Sequence, residues 1–131
     1  MAQEREIINT ALGFLTEQGV SGDFKESDEE RVVNFVQDLK KGIFDPPPLG
    51  ASSEQLEAYA TQVEEQYDPQ GEDITTIFNA TCLLIAFLYV QSQNPAFLQD
   101  TIESIGKAGR NILDSKAGAD LLKVLSKLKG G

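Results

Sequence analysis

The stretch ITTIFNATCLLIAFLYV, residues 74–90, runs for seventeen residues without a charge, in a chain of which 24% is charged. As a helix it rises roughly 26 Å, whereas the hydrocarbon core of a bilayer is about 30 Å thick and usually takes around 20 residues. Thr75, Thr76 and Asn79 share one side of its first half, so only residues 82–90 are apolar all round. The run therefore fits the central helix of a bundle better than a membrane span, which stays as the alternative.

Apolar residues recur at spacings of three and four in the segments on both sides of this run, a pattern typical of amphipathic helices. Each apolar stripe needs a surface to pack against, and the uncharged run supplies one. We therefore predict an all-α fold, a compact bundle of five or six helices around a central apolar helix at about 74–92. The 131 residues are predicted to form a single helical domain, because a chain of this length suits one core. A strand within residues 74–81, which are rich in β-branched side chains, is the alternative for that segment.

Residues with capping roles predict where the helices begin and end. Gly19 and Gly42 suit the left-handed conformation that follows a helix C-terminus. Pro95 suits the first position of a helix, with Asn94 as its cap. The other predicted caps are Ser27 paired with Glu30, Ser52 paired with Gln55, and Ser115.

The apolar stripes also predict which residues form the core. Gly106 and Gly109 indicate either a notch for close packing or a break in their helix. Asn79 is predicted to be a buried polar residue, for which Thr75 and Thr76 are candidate partners, because an unpaired buried amide costs about 1 to 3 kcal/mol. The residues predicted to be buried are Leu12, Phe35, Ile77, Phe78, Cys82, Leu84, Ile85 and Leu88.

The charges are unevenly distributed along the chain. The net charge is −10, and residues 1–73 hold 17 acids and 5 bases, while residues 100–131 hold 4 acids and 6 bases. Nucleic acid is an unlikely partner, since binding to its backbone depends on Lys and Arg neutralising phosphates. Because the first half of the chain is so strongly acidic, we expect either a protein partner with a basic surface or self-association.

The residue types needed for common catalytic chemistry are missing. The chain has no histidine, and its single cysteine, Cys82, lies within the apolar run, where a thiol behaves as a small hydrophobe. Zinc and iron–sulfur sites built from His and Cys are therefore excluded. The acid-dense segments 28–30 and 64–68 are interpreted as solvated helix faces and a helix cap. We predict no catalytic residue, no metal site and no cofactor, and expect a protein that is not an enzyme; carboxylate chemistry or a Ser/Lys pair is the alternative.

The proline-rich segment DPPPLG, residues 45–50, cannot continue a helix, because prolines lack N–H donors and favour an extended conformation. We interpret it as a stiff connector between two helices of the domain. Its alternative role is that of a polyproline ligand for an aromatic groove. Pro46, Pro47 and Pro48 are therefore candidate partner contacts.

The last predicted helix combines a leucine-rich face with lysines at intervals of seven and four, namely Lys116, Lys123 and Lys127. These lysines are candidate contacts for an acidic protein surface or an anionic membrane. The competing interpretation is that the leucines pack in the core and the lysines lie in water.

The hypothesis that fits these features best is a non-enzymatic protein–protein interaction or assembly module, such as a small subunit, adaptor or chaperone, with an acidic N-terminal half. The alternative is a binder of an apolar small molecule or a membrane surface, through the central apolar helix and the basic C-terminal helix. The first residues do not have the pattern of a secretory signal, so we expect a cytoplasmic protein. Membrane binding is possible but disfavoured.

Overall fold

The chain folds as the predicted all-α bundle. The computed structural model describes residues 2–20, 24–68, 76–94 and 96–130, and these contain six α-helices, one short 3-10 helix and no strand. The helices are α1 (Ala2–Glu17), α2 (Glu26–Lys41), α3 (Ser53–Tyr67), α4 (Thr76–Ser92), α5 (Ile102–Leu113) and α6 (Lys116–Gly130), with the 3-10 helix at Phe97–Gln99 between α4 and α5.

Helix α4 lies at the centre, as the uncharged run predicts. Every side chain from residue 77 to residue 88 is buried, and α4 packs against α1, α2, α3, α5 and α6. The strand alternative is wrong for residues 76–81, which are helical, while residues 74 and 75 lie outside the described residues. Within the described ranges, no helix has both the length and the hydropathy that crossing a bilayer requires.

Several predicted helix ends are confirmed. Gly19 and Gly42 have φ values of 78° and 73°, the left-handed conformation expected after a helix. Ser52 and Gln55 form a reciprocal capping box: the Gln55 backbone N–H donates to Ser52 Oγ at 3.2 Å, and the Ser52 N–H donates to Gln55 Oε1 at 2.9 Å. Ser115 Oγ accepts a hydrogen bond from the backbone of Gly118 in the first turn of α6.

The predicted start of α2 is wrong by two residues. The N-cap position is Lys25 rather than Ser27, and the carboxylate of Asp28 accepts a hydrogen bond from the Lys25 backbone N–H at 3.2 Å. A carboxylate in the third helical position is a charged acceptor near the positive end of the helix dipole, and it reaches back to this N–H. Ser27 therefore lies inside the first turn, where its side chain is exposed.

The predicted start of the fifth helix is also wrong. Asn94 Oδ1 accepts a hydrogen bond from the Ala96 backbone at 3.0 Å, which leads into the 3-10 helix instead of α5. Asp100 and Thr101 then adopt extended conformations that separate the two helices, and Thr101 Oγ1 caps α5 by accepting from the Ser104 N–H at 3.3 Å. Pro95 lies outside the described residues.

The glycines of α5 form a packing notch and do not break the helix. A Cβ atom on Gly109 would lie 2.8 Å from the ring of Phe14, so a side chain at this position would collide with α1. Gly106 faces open space within the same uninterrupted helix. Of these two glycines, it is therefore Gly109 that allows the close approach of α5 to α1.

Seven of the eight residues predicted to be buried lie in the core: Phe35, Ile77, Phe78, Cys82, Leu84, Ile85 and Leu88. Leu12 is only half-buried, because Ile8, Ala11 and Leu15 occupy the centre of the inward face of α1 and leave Leu12 at its edge. Ile43, which the periodicity of α2 would place inward, is 67% exposed because the helix ends before it.

Candidate functional site

The proline-rich connector is fastened to the domain through an aromatic cluster. The ring of Phe44 lies 5.9 Å from that of Phe35, 5.7 Å from that of Tyr59 and 5.5 Å from that of Tyr67, measured between centroids. The pairs with Phe35 and Tyr67 are edge-to-face, an arrangement that adds stability beyond the area that it buries. Phe44, which directly precedes the connector, is thus held between α2 and α3.

Hydrogen bonds hold the rest of the connector. The hydroxyl of Tyr59 donates to the Asp45 carbonyl at 2.8 Å, and the Gly50 N–H donates to Gln91 Oε1 on α4 at 3.1 Å. Because Tyr59 is largely buried, desolvation raises the pKa of its phenol, which stays a donor. The connector is therefore attached to both α3 and α4.

The three candidate prolines differ in their exposure. Pro47 is buried, Pro46 is half-buried and Pro48 is exposed. A groove that recognises a polyproline helix needs a continuous exposed proline face. These environments favour the interpretation of a stiff connector over that of a polyproline ligand.

The candidate lysines of α6 are exposed, and two of them pair with carboxylates of the same chain. Lys127 Nζ lies 2.6 Å from Glu57 Oε1 on α3, and Lys123 Nζ lies 3.9 Å from Asp120 Oδ1. The Glu57 carboxylate beside it raises the pKa of Lys127. Glu57, which belongs to the acidic half of the chain, thus pairs with one of the lysines of the basic helix α6.

The apolar face of α6 is used inside the bundle. Leu121, Val124 and Leu125 are buried, and α6 packs against α3, α4 and α5. An interfacial membrane helix needs an apolar face that is free to enter the lipid. In this fold the described part of that face is already covered.

A buried ion network joins the start of α2 to the end of α3. The guanidinium of Arg31 lies 3.5 Å from the carboxylate of Asp28 and 3.9 Å from that of Asp68, and both carboxylates are buried. The sequence interpretation of residues 28–30 and 64–68 as solvated helix faces and a helix cap is therefore wrong for Asp68, whereas Asp28 is buried but takes part in the cap of α2. The sequence pattern could not reveal the burial of Asp68, because its ion pair with Arg31 forms only in the tertiary fold.

This network brings two acidic segments to the same end of the domain. Around it, the exposed or half-exposed carboxylates of α2 and α3 form a surface that we call the acidic end. Residues 25–31 and 64–68 together contain seven carboxylates and the two cations Lys25 and Arg31, to which α1 adds Arg5. The acidic end consists of Glu26, Glu29, Glu30, Glu64 and Glu65.

An open cleft of about 510 Å³ lies beside the acidic end, between α1 and α2. Arg5 crosses this cleft with its Nε 3.2 Å from Glu29 Oε1. In the described part of the chain, no cation pairs with Glu26 or Glu30, which also line the cleft. The cleft lining is completed by Val33 and Asn34, so it combines negative charge with a small apolar floor.

The described residues offer little for bond-making chemistry. No group of three or more His, Cys, Asp and Glu side chains among them could hold a metal ion. Cys82 is buried, and desolvation raises the pKa of its thiol well above the ordinary value, which disfavours the reactive thiolate. Asn79 is buried as predicted, and its Oδ1 has no hydrogen-bond partner among the described residues; Thr75 and the side chain of Thr76 lie outside them.

In three comparisons, no family model, no curated protein and no solved structure matches the chain.

Proposed function

We propose that this protein is a non-enzymatic protein–protein interaction module whose acidic end binds a basic segment of a partner protein. The observation that supports this proposal is the placement of five surface carboxylates, from two helices, at one end of the bundle. Three of them, Glu26, Glu29 and Glu30, line a cleft in which Arg5 pairs with Glu29.

Concentrating like charges in this way has an energetic cost. Carboxylates on adjacent turns lie within the Debye length of about 8 Å at physiological ionic strength, so they repel each other in the free protein. A partner that brings Lys or Arg side chains relieves this repulsion and gains ion pairs. The same field accelerates encounter with a basic partner and disfavours acidic ones.

Among the described residues, the apolar interior between α1, α4 and α5 leaves no room for an apolar ligand. The cavity between α1, α4 and α5, lined by residues such as Phe14, Leu88 and Phe97, has a volume of about 10 Å³. A space of this size holds at most one water molecule. We therefore propose only the interaction module, with a cytoplasmic location as part of the same proposal.

The test compares two triple variants with equal changes in net charge. The first, Glu26→Gln/Glu30→Gln/Glu65→Gln, neutralises the acidic end, while the control, Glu6→Gln/Glu54→Gln/Glu103→Gln, neutralises exposed carboxylates elsewhere. Binding of a labelled oligo-lysine peptide is measured by fluorescence anisotropy. Three exposed ion pairs of about 0.5 kcal/mol each predict a roughly tenfold weaker Kd for the first variant.

Recovery of a partner provides a second readout. A protein that co-purifies in stoichiometric amounts with the native chain and the control, but not with the acidic-end variant, supports the proposal, as do cross-links to α2 and α3. Equal peptide affinity of the two triple variants contradicts it.

A further inference from the structure

One arginine of the protein itself lies in the cleft that three glutamates of the acidic end line. Arg5 reaches across from α1 and places its Nε 3.2 Å from Glu29 Oε1 on α2. Glu26 and Glu30 line the same cleft, and neither of them pairs with a cation among the described residues. The protein therefore already holds a guanidinium where the proposed partner brings its basic side chains.

The backbone that carries Arg5 is held firmly against α2. The preceding residue, Glu4, is buried and accepts a hydrogen bond of 2.9 Å from Lys40 Nζ in the last turn of α2. Ile7 and Ile8, which follow in the same helix, are buried in the core. The base of the Arg5 side chain is thus fixed beside the cleft. A group that is fixed in this way competes for a site at a high effective concentration, because it does not have to diffuse to it.

The guanidinium of Arg5, in contrast, is held weakly. The Arg5 side chain is 69% exposed, and its ion pair with Glu29 is the one that it forms with the described residues. Solvent and salt screen an ion pair that is this exposed, so it contributes little to stability. A cation from a partner can therefore take the place of Arg5 at a small cost in free energy.

Arg31, at the same end of the domain, has a different role. Its side chain is only 22% exposed, and it lies 3.5 Å from the carboxylate of Asp28 and 3.9 Å from that of Asp68, both of which are buried. Taking a cation away from buried carboxylates costs much more than breaking a surface pair. Arg31 therefore stabilises the fold, whereas Arg5 can leave its carboxylate without unfolding the domain.

We propose that Arg5 is an intramolecular competitor at the acidic end, which a basic partner displaces from Glu29 when it binds. At Glu29 a partner cation only exchanges one ion pair for another, so the net gain there is small. The gain comes from further cations that reach Glu26 and Glu30. The contact thus lowers the affinity for every partner and favours segments with several basic side chains. This inference rests on the proposed function, since it concerns the regulation of the same surface.

Two charge-matched variants test the competition. Arg5→Gln frees Glu29, whereas Arg110→Gln breaks a similar pair at the other end of α1, where an arginine side chain that is 68% exposed lies 3.4 Å from Glu17 Oε1. Each change removes one positive charge. Binding of the labelled oligo-lysine peptide is measured by fluorescence anisotropy. We expect a Kd for Arg5→Gln that is about two- to threefold lower than that of Arg110→Gln, the factor that corresponds to one exposed ion pair.

A double-mutant cycle separates displacement from a general effect of charge. With Arg5 present, Glu29 is already paired, so Glu29→Gln is expected to change the Kd of the peptide little. In the Arg5→Gln background the same change removes a free carboxylate, and the Kd is expected to rise about two- to threefold. Equal effects of Glu29→Gln in the two backgrounds would mean that the two residues act independently, which overturns the proposal.

NMR spectroscopy observes the displacement directly. The ¹⁵Nε resonance of Arg5, which is assigned by its loss in Arg5→Gln, should move on addition of saturating oligo-lysine peptide toward its position in Glu29→Gln. The resonance of Arg110 is the internal control and should stay unchanged. A resonance of Arg5 that does not move at saturation overturns the proposal.

These outcomes are distinguishable from a failure of the proposed function. If Arg5→Gln and Arg110→Gln bind the peptide equally while Glu26→Gln/Glu30→Gln/Glu65→Gln loses affinity, the acidic end binds basic segments but Arg5 does not compete there. If that triple variant binds the peptide as well as its control does, the proposed function is contradicted and the competition with it.

Discussion

Lys40 Nζ donates a hydrogen bond of 2.9 Å to Glu4 Oε1, which joins the first turn of α1 to the last turn of α2 across 36 residues of sequence. Glu4 is buried, and this hydrogen bond lowers the pKa of its carboxyl from 4.5 to about 2. The Glu4 carboxylate is therefore charged over the whole neutral and mildly acidic range.

Because the folded-state pKa of Glu4 lies below its ordinary value, the stability that the pair contributes is complete above pH 4.5 and is lost as the pH falls toward 2. We expect Lys40→Met to be less stable than the native chain at neutral pH. Its free energy of unfolding should also fall less than that of the native chain as the pH is lowered from 4.5 toward 2. The pKa of Glu4, measured by NMR titration, should rise toward its ordinary value. Lys41→Met, which removes an exposed neighbouring cation, is the control; identical acid profiles of native chain and Lys40→Met would contradict the assignment.

The packing notch on α5 gives a second prediction. Gly109→Ala forces a Cβ to within 2.8 Å of the Phe14 ring, and Phe14 is itself buried, so the free energy of unfolding should fall by about 1 to 3 kcal/mol. Gly106→Ala, in the same helix but facing open space, should be neutral or raise stability by about 0.5 to 1 kcal/mol. Urea denaturation of the two variants measures the difference, and equal effects would argue against the notch.

The amide of Asn79 allows a third prediction. Its buried Oδ1 lacks a hydrogen-bond partner among the described residues, so replacing the amide by an apolar side chain of similar size removes a desolvation cost. Asn79→Leu is expected to increase the free energy of unfolding by about 1 kcal/mol. Thr81→Val is the control, because the Thr81 hydroxyl already donates to the Ile77 carbonyl at 2.6 Å. A large loss of stability in Asn79→Leu would mean that the amide has a partner that it needs.

The thiol of Cys82 reports on the opening of the core. It is the single cysteine, it is buried in α4, and burial raises its pKa. We expect a thiol reagent to label Cys82 only at the rate of global unfolding, both in the native chain and in the variant Gly106→Ala. Gly109→Ala should label faster, in proportion to its loss of stability. Rapid labelling of the stable native chain would contradict the central position of α4.

The sequence was sufficient to predict the features that depend on local pattern. The uncharged run predicted the central helix, and the spacing of Ser52 and Gln55 predicted the start of α3. These features follow from helical periodicity and from hydrogen bonds between residues three positions apart, both of which are visible along the chain.

The features that were wrong or missed depend on tertiary distances or on competition between neighbouring residues. The burial of Asp28 and Asp68 depends on Arg31 meeting a residue 37 positions later. At the start of α2, the side chains of Ser27 and Asp28 can both accept a hydrogen bond from a free backbone N–H, and in the structure the Asp28 carboxylate accepts it from Lys25. The exposure of Ile43 depends on where one helix turn ends, which periodicity places only to within a residue or two.

The position of α4 within the chain has a consequence for synthesis on the ribosome. Helices α1, α2 and α3 all pack on α4, yet α4 begins only at Thr76, so these three helices leave the exit tunnel before the helix that covers their apolar faces. The part of their apolar surface that α4 covers in the finished fold is exposed to solvent during that interval. Cotranslational folding of the first half is therefore delayed until α4 emerges, and the nascent chain presents a substrate for chaperones that bind apolar segments until then.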